Sequence, residues 1–235
     1  MIFDLCVPAH NEAGIIEETL AQIREALEGG AVSWKIVVAD NASIDGTADR
    51  VRAFADPRIT VARIERKGKG TAIIEAAKRS AGDLFGFIDA DLSTDPRDIL
   101  SLLEPVIRGD ADAVIGSRLL DRRIVNRVAL RSASSRAFNG FRRAFLGIGV
   151  EDTQCGLKVM NARAREELRS CAEVGWWFDM EFLARAERAG LRIREVPVHW
   201  REHHFPDRKS RLHVVRDGFG ALAAMARIRR RLGRS

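Results

Sequence analysis

Two aspartates one residue apart, Asp89 and Asp91, close an apolar run over residues 84–88 that reads as a buried strand. An ionised carboxylate at a strand end is costly to strip of water and calls for hydrogen bonds, a cation or solvent. A divalent ion carrying a diphosphate would meet that need, and so would a solvated corner between strand and loop. Further reactive side chains recur after other apolar runs. His10, Asn11 and Glu12 follow Pro8, Asp40 and Asn41 end a second run, and Lys69 stands between Gly68 and Gly70. Later come Arg118, a polar stretch over residues 151–156 with Asp152 at its start, and Asp179 two residues before Glu181.

The elements that must carry these residues alternate. Strands are expected over 2–7, 34–39, 59–64, 84–88 and 113–116. Helices are expected over 13–28, 48–54 and 71–80 and after Pro96, with residues 66–70 a flexible basic loop. Ile16, Leu20, Ile23 and Leu27 recur at helical spacing, so the first helix lays one face on a sheet. This alternation predicts a mostly parallel α/β sheet, whose ligands bind beyond the carboxyl ends of the strands. The loops after the first, second and fourth strands then share one edge. Asn11 and Glu12 could equally cap the first helix, and Asp45-Gly46-Thr47 reads as a turn and cap.

Beyond residue 116 the pattern changes to a basic helical stretch over 124–146, the polar loop, and a short strand over 157–160. Asn161 is placed to cap a helix over 162–170. A helix over 176–189 and a strand over 191–200 follow, with Pro197 marking a sheet edge. In the helix over 214–232, Leu222, Met225 and Ile228 lie among many arginines. An anionic membrane surface, the body of the protein or a second copy could each cover it.

The 235 residues carry a net charge of +6, 46% hydrophobic residues and three cysteines without metal-like spacing, which predicts one soluble domain with a C-terminal extension and reduced thiols in a cytosolic compartment. No secretory leader or membrane-spanning segment is expected. The basic patches favour anionic partners, but the absence of tyrosine and the strand-helix alternation argue against nucleic acid.

Read in order, Val7 through Glu12, Asp40 through Thr47, Lys67 through Gly70, Asp89 through Ser93, Gly116 through Arg118, Asp152 through Lys158 and Phe178 through Glu181 resemble the family 2 glycosyltransferases of GT-A fold. Within that family the resemblance is to the polyprenyl-phosphate hexosyltransferases of the dolichyl-phosphate glucosyl- and mannosyltransferase kind. It implies a Rossmann-like, mostly parallel central sheet flanked by helices. A catalytic domain would span 1–200, with a nucleotide-binding half over 1–118 and an acceptor-binding half over 119–200, before a basic helical extension over 201–235. It also implies transfer of glucose or mannose, with inversion, from UDP- or GDP-hexose to a polyprenyl phosphate. The cofactor would be Mg2+ or Mn2+, held by Asp91, with Asp89 on the ribose or a metal-bound water. Pro8, Asn11, Glu12, Asp40, Lys69 and Ala90 would complete the donor set.

Arg118 is the implied contact to the acceptor phosphate, with Arg131 and Lys158 in support. Trp176 and Trp177 would form a sugar-facing wall or part of the core. A phosphate monoester has a second pKa of about 6 and needs little help from a base. An alcohol acceptor would need one, and Asp152 or Asp179 would supply it. His203 and His204 are a further option for a metal. His10 stands where the family often has tyrosine, Asn41 and Ala42 vary an acidic-glycine pair, and Ser93 replaces a glutamine of some mannosyltransferases. Many relatives carry C-terminal membrane helices that this chain lacks, so a soluble hydroxyl acceptor is an alternative, as is a non-catalytic module that binds nucleotide sugars. The expected place is the cytoplasm, peripheral to the inner membrane face, with the oligomeric state open between monomer and dimer.

Overall fold

The computed structural model describes residues 1–120, 140, 142–201 and 214–233. Its first half follows from apolar runs punctuated by polar corners. Strand β1 (Ile2–Ala9) and strand β2 (Ser33–Asp40) are joined by helix α1 (Ile16–Glu28), which buries Ile16, Leu20, Ile23 and Leu27. Helix α2 (Thr47–Ala53) leads to β3 (Ile59–Arg63), and α3 (Lys69–Arg79) leads to β4 (Leu84–Phe87), which is buried throughout. Helix α4 (Asp98–Ile107) and strand β5 (Ala113–Ser117) follow. The second half supplies β6 (Lys158–Asn161), α5 (Ala162–Arg169), α6 (Phe178–Arg188), β7 (Ile193–Pro197) and α7 (Val214–Leu232). Asn161 caps α5 as expected, its side chain accepting the Ala164 amide.

The seven strands form one sheet in the order β3-β2-β1-β4-β6-β5-β7, with β7 at the edge that Pro197 marks. All pairings are parallel except those of β6, which runs against both β4 and β5. That reversal matters for the site. The carboxyl ends of β1, β2, β4, β5 and β7 lie along one edge, and β6 brings its amino end there, so the loop before Lys158 joins them.

Side chains alternate across the sheet, as the strand period requires. Leu5, Val7, Ile36 and Val38 pack with Ile16, Leu20, Ile99 and Leu102 of α1 and α4. Cys6, Phe85 and Phe87 face the opposite core, built with Ile73, Phe178, Phe182 and Met225 of α3, α6 and α7. The C-terminal helix is therefore packed on the body of the chain through Ala221, Ala224, Met225, Ile228 and Leu232. No helix among the described residues is long and apolar enough to cross a membrane.

Three expectations are corrected. Lys69 does not sit in a flexible loop but opens α3, because Gly68, at φ 138°, turns the chain into the helix two residues earlier than expected. Trp176 and Trp177 precede α6 instead of starting it. Asn11 does not cap α1, since its side-chain oxygen accepts the Ile44 amide at 2.9 Å across the neighbouring loop. Arg131, His203, His204 and most of the basic stretch over 124–146 lie outside the described residues.

Two substitutions on α7 check how the helix is seated. Ile228 is fully buried and Leu222 is 47% exposed. Ile228→Ala should cost roughly 2–5 kcal/mol in chemical denaturation, whereas Leu222→Ala should stay within about 0.5 kcal/mol of the parent.

Candidate active site

The Asp89–Asp91 corner is fixed from several directions. The Ala90 carbonyl accepts the Thr19 hydroxyl of α1 at 2.7 Å, and the Leu92 amide closes a turn onto the Asp89 carbonyl at 3.1 Å. Leu92 takes φ 47°, an uncommon value for a branched residue, and is held there with its side chain buried. Asp91 accepts the Ser93 amide at 3.1 Å. Asp89 is gripped by Lys69, whose Nζ lies 2.6 Å from Oδ1. Burial works against the lysine charge, but Asp89 and Asp179 outweigh it and hold the ammonium above the usual lysine range. The ammonium also lies 5.2 Å from the centre of the Trp176 ring, which is 52% exposed.

Three glycines make these contacts possible. A Cβ on Gly156 would overlap the Asp89 carboxylate, and one on Gly68 would overlap the Val174 carbonyl. A Cβ on Gly70 would come within 2.7 Å of the Glu173 carbonyl and of Phe178 Cβ. The glycines around Lys69 thus serve close packing of α3 against residues 173–178, and Gly156 lets the β5–β6 connection settle on Asp89.

On the neighbouring loops Asn41 is the staple. Its Nδ2 donates to the Arg66 carbonyl at 2.8 Å and its Oδ1 accepts the Gly68 amide at 2.6 Å, tying the end of β2 to the start of α3. Asp40 is fully buried and pairs with Arg63 at 2.7 Å. His10 Nδ1 lies 2.7 Å from the Asn41 carbonyl, and the Glu12 amide donates to Thr47 Oγ1 at 2.9 Å. Asp45 accepts the Thr47 and Ala13 amides at 3.1 and 3.0 Å, as the turn reading expected. Pro8 is half-buried near the end of strand β1, opposite Ala39.

On the far side of Asp89, Arg118 makes a two-pronged pair with Asp152, through Nε to Oδ2 at 2.7 Å and a terminal nitrogen to Oδ1 at 2.8 Å. The Asp152 and Glu151 amides are anchored on the Glu195 carboxylate of β7. Arg118 keeps a third of its side chain exposed and lies 5.8 Å from the Trp200 ring. Lys158 and Asp179 are placed differently from the expectation. Their side chains are 1% and 3% exposed and form an ion pair at 2.6 Å. Lys158 also donates to the Thr153 and Cys155 carbonyls. Burial raises the Asp179 carboxyl above its usual range although Lys158 and Lys69 pull the other way. Both side chains are closed off from solvent in this arrangement. Lys158 braces the 153–155 turn from beneath because β6 carries it inward, opposite Phe87. Trp177 is likewise turned into the core, beside Gly220 of α7, and Trp176 is the tryptophan that borders the site.

Among the described residues no cluster of three or more His, Cys, Asp or Glu could cage a metal ion. The donor set present, two carboxylates at a half-open corner, is nonetheless the kind that magnesium or manganese takes when phosphate oxygens and water complete the shell. Lys69 occupies one oxygen of Asp89, and Asp91 would be the protein ligand offered to such an ion. The pairing that sequence could not reveal is Lys69 with Asp89, together with Gly156 behind it. The only hint was the pair of glycines flanking Lys69.

Asp152 yields a pH prediction. Burial alone would raise its carboxyl, but Arg118 outweighs this and holds it below the ordinary value of 3.8. Its contribution to stability is therefore complete above about pH 4 and fades as pH falls through the lower, folded value. Urea midpoints measured between pH 6 and pH 2.5 should drop for the parent, and the drop should be smaller for Asp152→Asn, which begins lower.

Comparison with known proteins agrees with this geometry. The chain matches the family model described as glycosyl transferase family 2 over residues 4–169. It is 38% identical to glycosyltransferase AglD of Haloferax volcanii over 91% of this chain and 35% of that one. Identity is 34% to the dolichyl-phosphate beta-glucosyltransferase ALG5C of Trichomonas vaginalis, over 83% of this chain and 63% of the relative. The chain thus spans about a third and just under two thirds of these relatives' lengths. The undecaprenyl-phosphate mannosyltransferase of Micrococcus luteus is 31% identical over 97% of both chains. Among solved structures, glucosyl-3-phosphoglycerate synthase from Mycobacterium tuberculosis, in complex with Mn2+, UDP and glucosyl-3-phosphoglycerate, superposes with a TM-score of 0.71 at 23% identity, over 97% of this chain and 79% of that one. Mannosyl-3-phosphoglycerate synthase from Rubrobacter xylanophilus gives 0.70 at 22%, over 100% and 76%. These two establish the fold, a mostly parallel GT-A sheet flanked by helices. With the family model covering most of its length, the chain belongs to glycosyl transferase family 2.

Proposed function

We propose that this chain is a metal-dependent, inverting hexosyltransferase that takes its sugar from a UDP- or GDP-hexose and passes it to a polyprenyl phosphate at the cytoplasmic face of a membrane. The observation that carries the donor half is the corner itself, where Asp91 and a lysine-gripped Asp89 meet at the sheet edge beyond β1, β2 and β4. The acceptor half is supported by the likeness to an undecaprenyl-phosphate mannosyltransferase along nearly the whole of both chains.

In this reading the nucleoside lies over the ends of β1 and β2, beside Pro8, His10, Asn11 and Glu12. Asp40 acts from below by holding Arg63 and the 43–44 turn in place. The diphosphate reaches Asp91, where a bound magnesium or manganese ion would supply positive charge against the leaving group. Lys69 adds a second cation from the α3 terminus and keeps Asp89 oriented toward the ribose side. Trp176, stacked by Lys69, offers an apolar face to the sugar. Arg118 holds the acceptor phosphate at its exposed edge while Asp152 fixes the guanidinium plane. The incoming phosphate oxygen is already anionic at neutral pH, so positioning and charge replace a general base. That assignment agrees with Asp179 being enclosed by Lys158 and Asp152 being engaged with Arg118, neither offering a carboxylate to a hydroxyl group.

Asp91→Ala should lower transfer by roughly 100-fold or more while circular dichroism and melting temperature stay near the parent's, and chelation with EDTA should do the same reversibly. Full activity in EDTA would end the metal assignment. Offered a short-chain polyprenyl phosphate and soluble alcohols or phosphoglycerates side by side, the protein should glycosylate the lipid phosphate. Transfer to a soluble hydroxyl alone would replace this acceptor with the second reading, and donor binding with no transfer to any acceptor would make the chain a binding module.

A further inference from the structure

The C-terminal helix reaches the donor corner through one buried carboxylate. Glu173 lies in the loop between α5 and α6 and is nearly inaccessible to solvent. Arg227 of α7 grips it with two prongs, Nε to Oε1 and a terminal nitrogen to Oε2, both 2.9 Å. Arg231, one turn further along α7, donates to Oε1 at 3.0 Å. The Glu173 amide is held in turn by Glu181 of α6, at 2.7 Å from Oε2. The loop is thus clamped by its side chain to one helix and by its backbone to another.

What the clamped loop presses on is the start of α3. The Glu173 carbonyl lies against Gly70, the Val174 carbonyl lies against Gly68 and accepts the Thr71 amide at 3.1 Å, and Trp176 borders the Lys69 ammonium. Lys69, between those glycines, ends 2.6 Å from Asp89. In close-packed contacts of this kind a shift of the loop is passed on, because there is no void to absorb it. Burial would raise the Glu173 carboxyl, but the two arginines outweigh it and keep it below its usual range, so the clamp is charged at neutral pH.

We propose that Glu173, braced by Arg227 and Arg231, is a positioning residue that sets Lys69 against Asp89 and makes α7 part of the donor site. This rests on the reading of the sheet edge as a nucleotide-diphosphate site. It extends that reading by assigning the last helix a share in binding the donor.

The test uses the full chain and two measurements. The first titrates UDP and GDP, each with Mn2+, into the parent, Glu173→Gln, Lys69→Met and the double variant by calorimetry. Glu173→Gln should weaken binding about tenfold when Lys69 is present and by about twofold or less when it is methionine, since the effect passes through the lysine. Equal weakening in both backgrounds, or none in either, would overturn the proposal. The second measurement needs no ligand. Amide hydrogen exchange at Thr71 should quicken by about tenfold in Glu173→Gln while β4 amides keep their protection, and unchanged exchange at Thr71 would overturn the proposal. Should the parent bind neither nucleotide, the donor reading fails, and the exchange measurement still decides whether Glu173 sets the α3 start. If Glu173→Gln does not fold, Arg227→Met removes the two-pronged partner from a half-exposed position, and the same two outcomes apply.

Discussion

Four aspartates along one sheet edge are each matched by their own cation: Asp40 by Arg63, Asp89 by Lys69, Asp152 by Arg118 and Asp179 by Lys158. The rest of the edge follows from this matching. Carboxylates gathered this closely and this deeply repel one another and lose solvation. Such a cluster holds together only if each charge is compensated locally with good geometry. The cations come from far along the chain, from β3, the first turn of α3, the end of β5 and the start of β6. Bringing them to one place is what the sheet order accomplishes, with reversed β6 delivering the last of them. Loss of one partner would leave the other as an uncompensated charge among three remaining pairs, so the edge is expected to respond as a unit.

How much of this could be read from residue order differs by element. Strand β4 was legible because a short apolar run ends there in two carboxylates, and the bounds of α7 were legible because Met225 and Ile228 repeat at helical spacing, although Leu222, read on the same side, is turned outward. The start of α6 was misread because two adjacent tryptophans ahead of Phe178 look like the helix's own apolar face, although one of them faces the site and the other the core. Lys69 was misplaced for the opposite reason. Glycines on either side suggest flexibility, and only the loop from 173 to 178, a hundred residues away, reveals that they are there for close contact.

The site itself divides along the same line. That carboxylates, a lysine and an arginine gather at the strand ends was legible, since each follows an apolar run and parallel strands bring those ends to one edge. Which carboxylate meets which cation was not. Lys158 and Asp179 carry the same chemical signature as Lys69 and Asp89, yet one pair is enclosed beneath the site and the other lines it. The difference is set by β6, which carries Lys158 inward beneath Phe87 at 5.2 Å, whereas Lys69 opens α3 beside the half-exposed corner. No local pattern encodes that.

The reversed strand β6 also constrains how the chain can assemble. It spans only Lys158–Asn161, yet among the described strands it is the one that pairs with both the β3-β2-β1-β4 half of the sheet and the β5-β7 half. During synthesis β4 and β5 are both made well before it, so each must wait with an unpaired edge for some forty residues or more. A sheet closed by a late central strand has a high contact order and folds correspondingly slowly. The first 118 residues, which carry Asp40, Lys69, Asp89 and Arg118, therefore lack the pairing between β4 and β5 until the strand that braces the 153–155 turn is made.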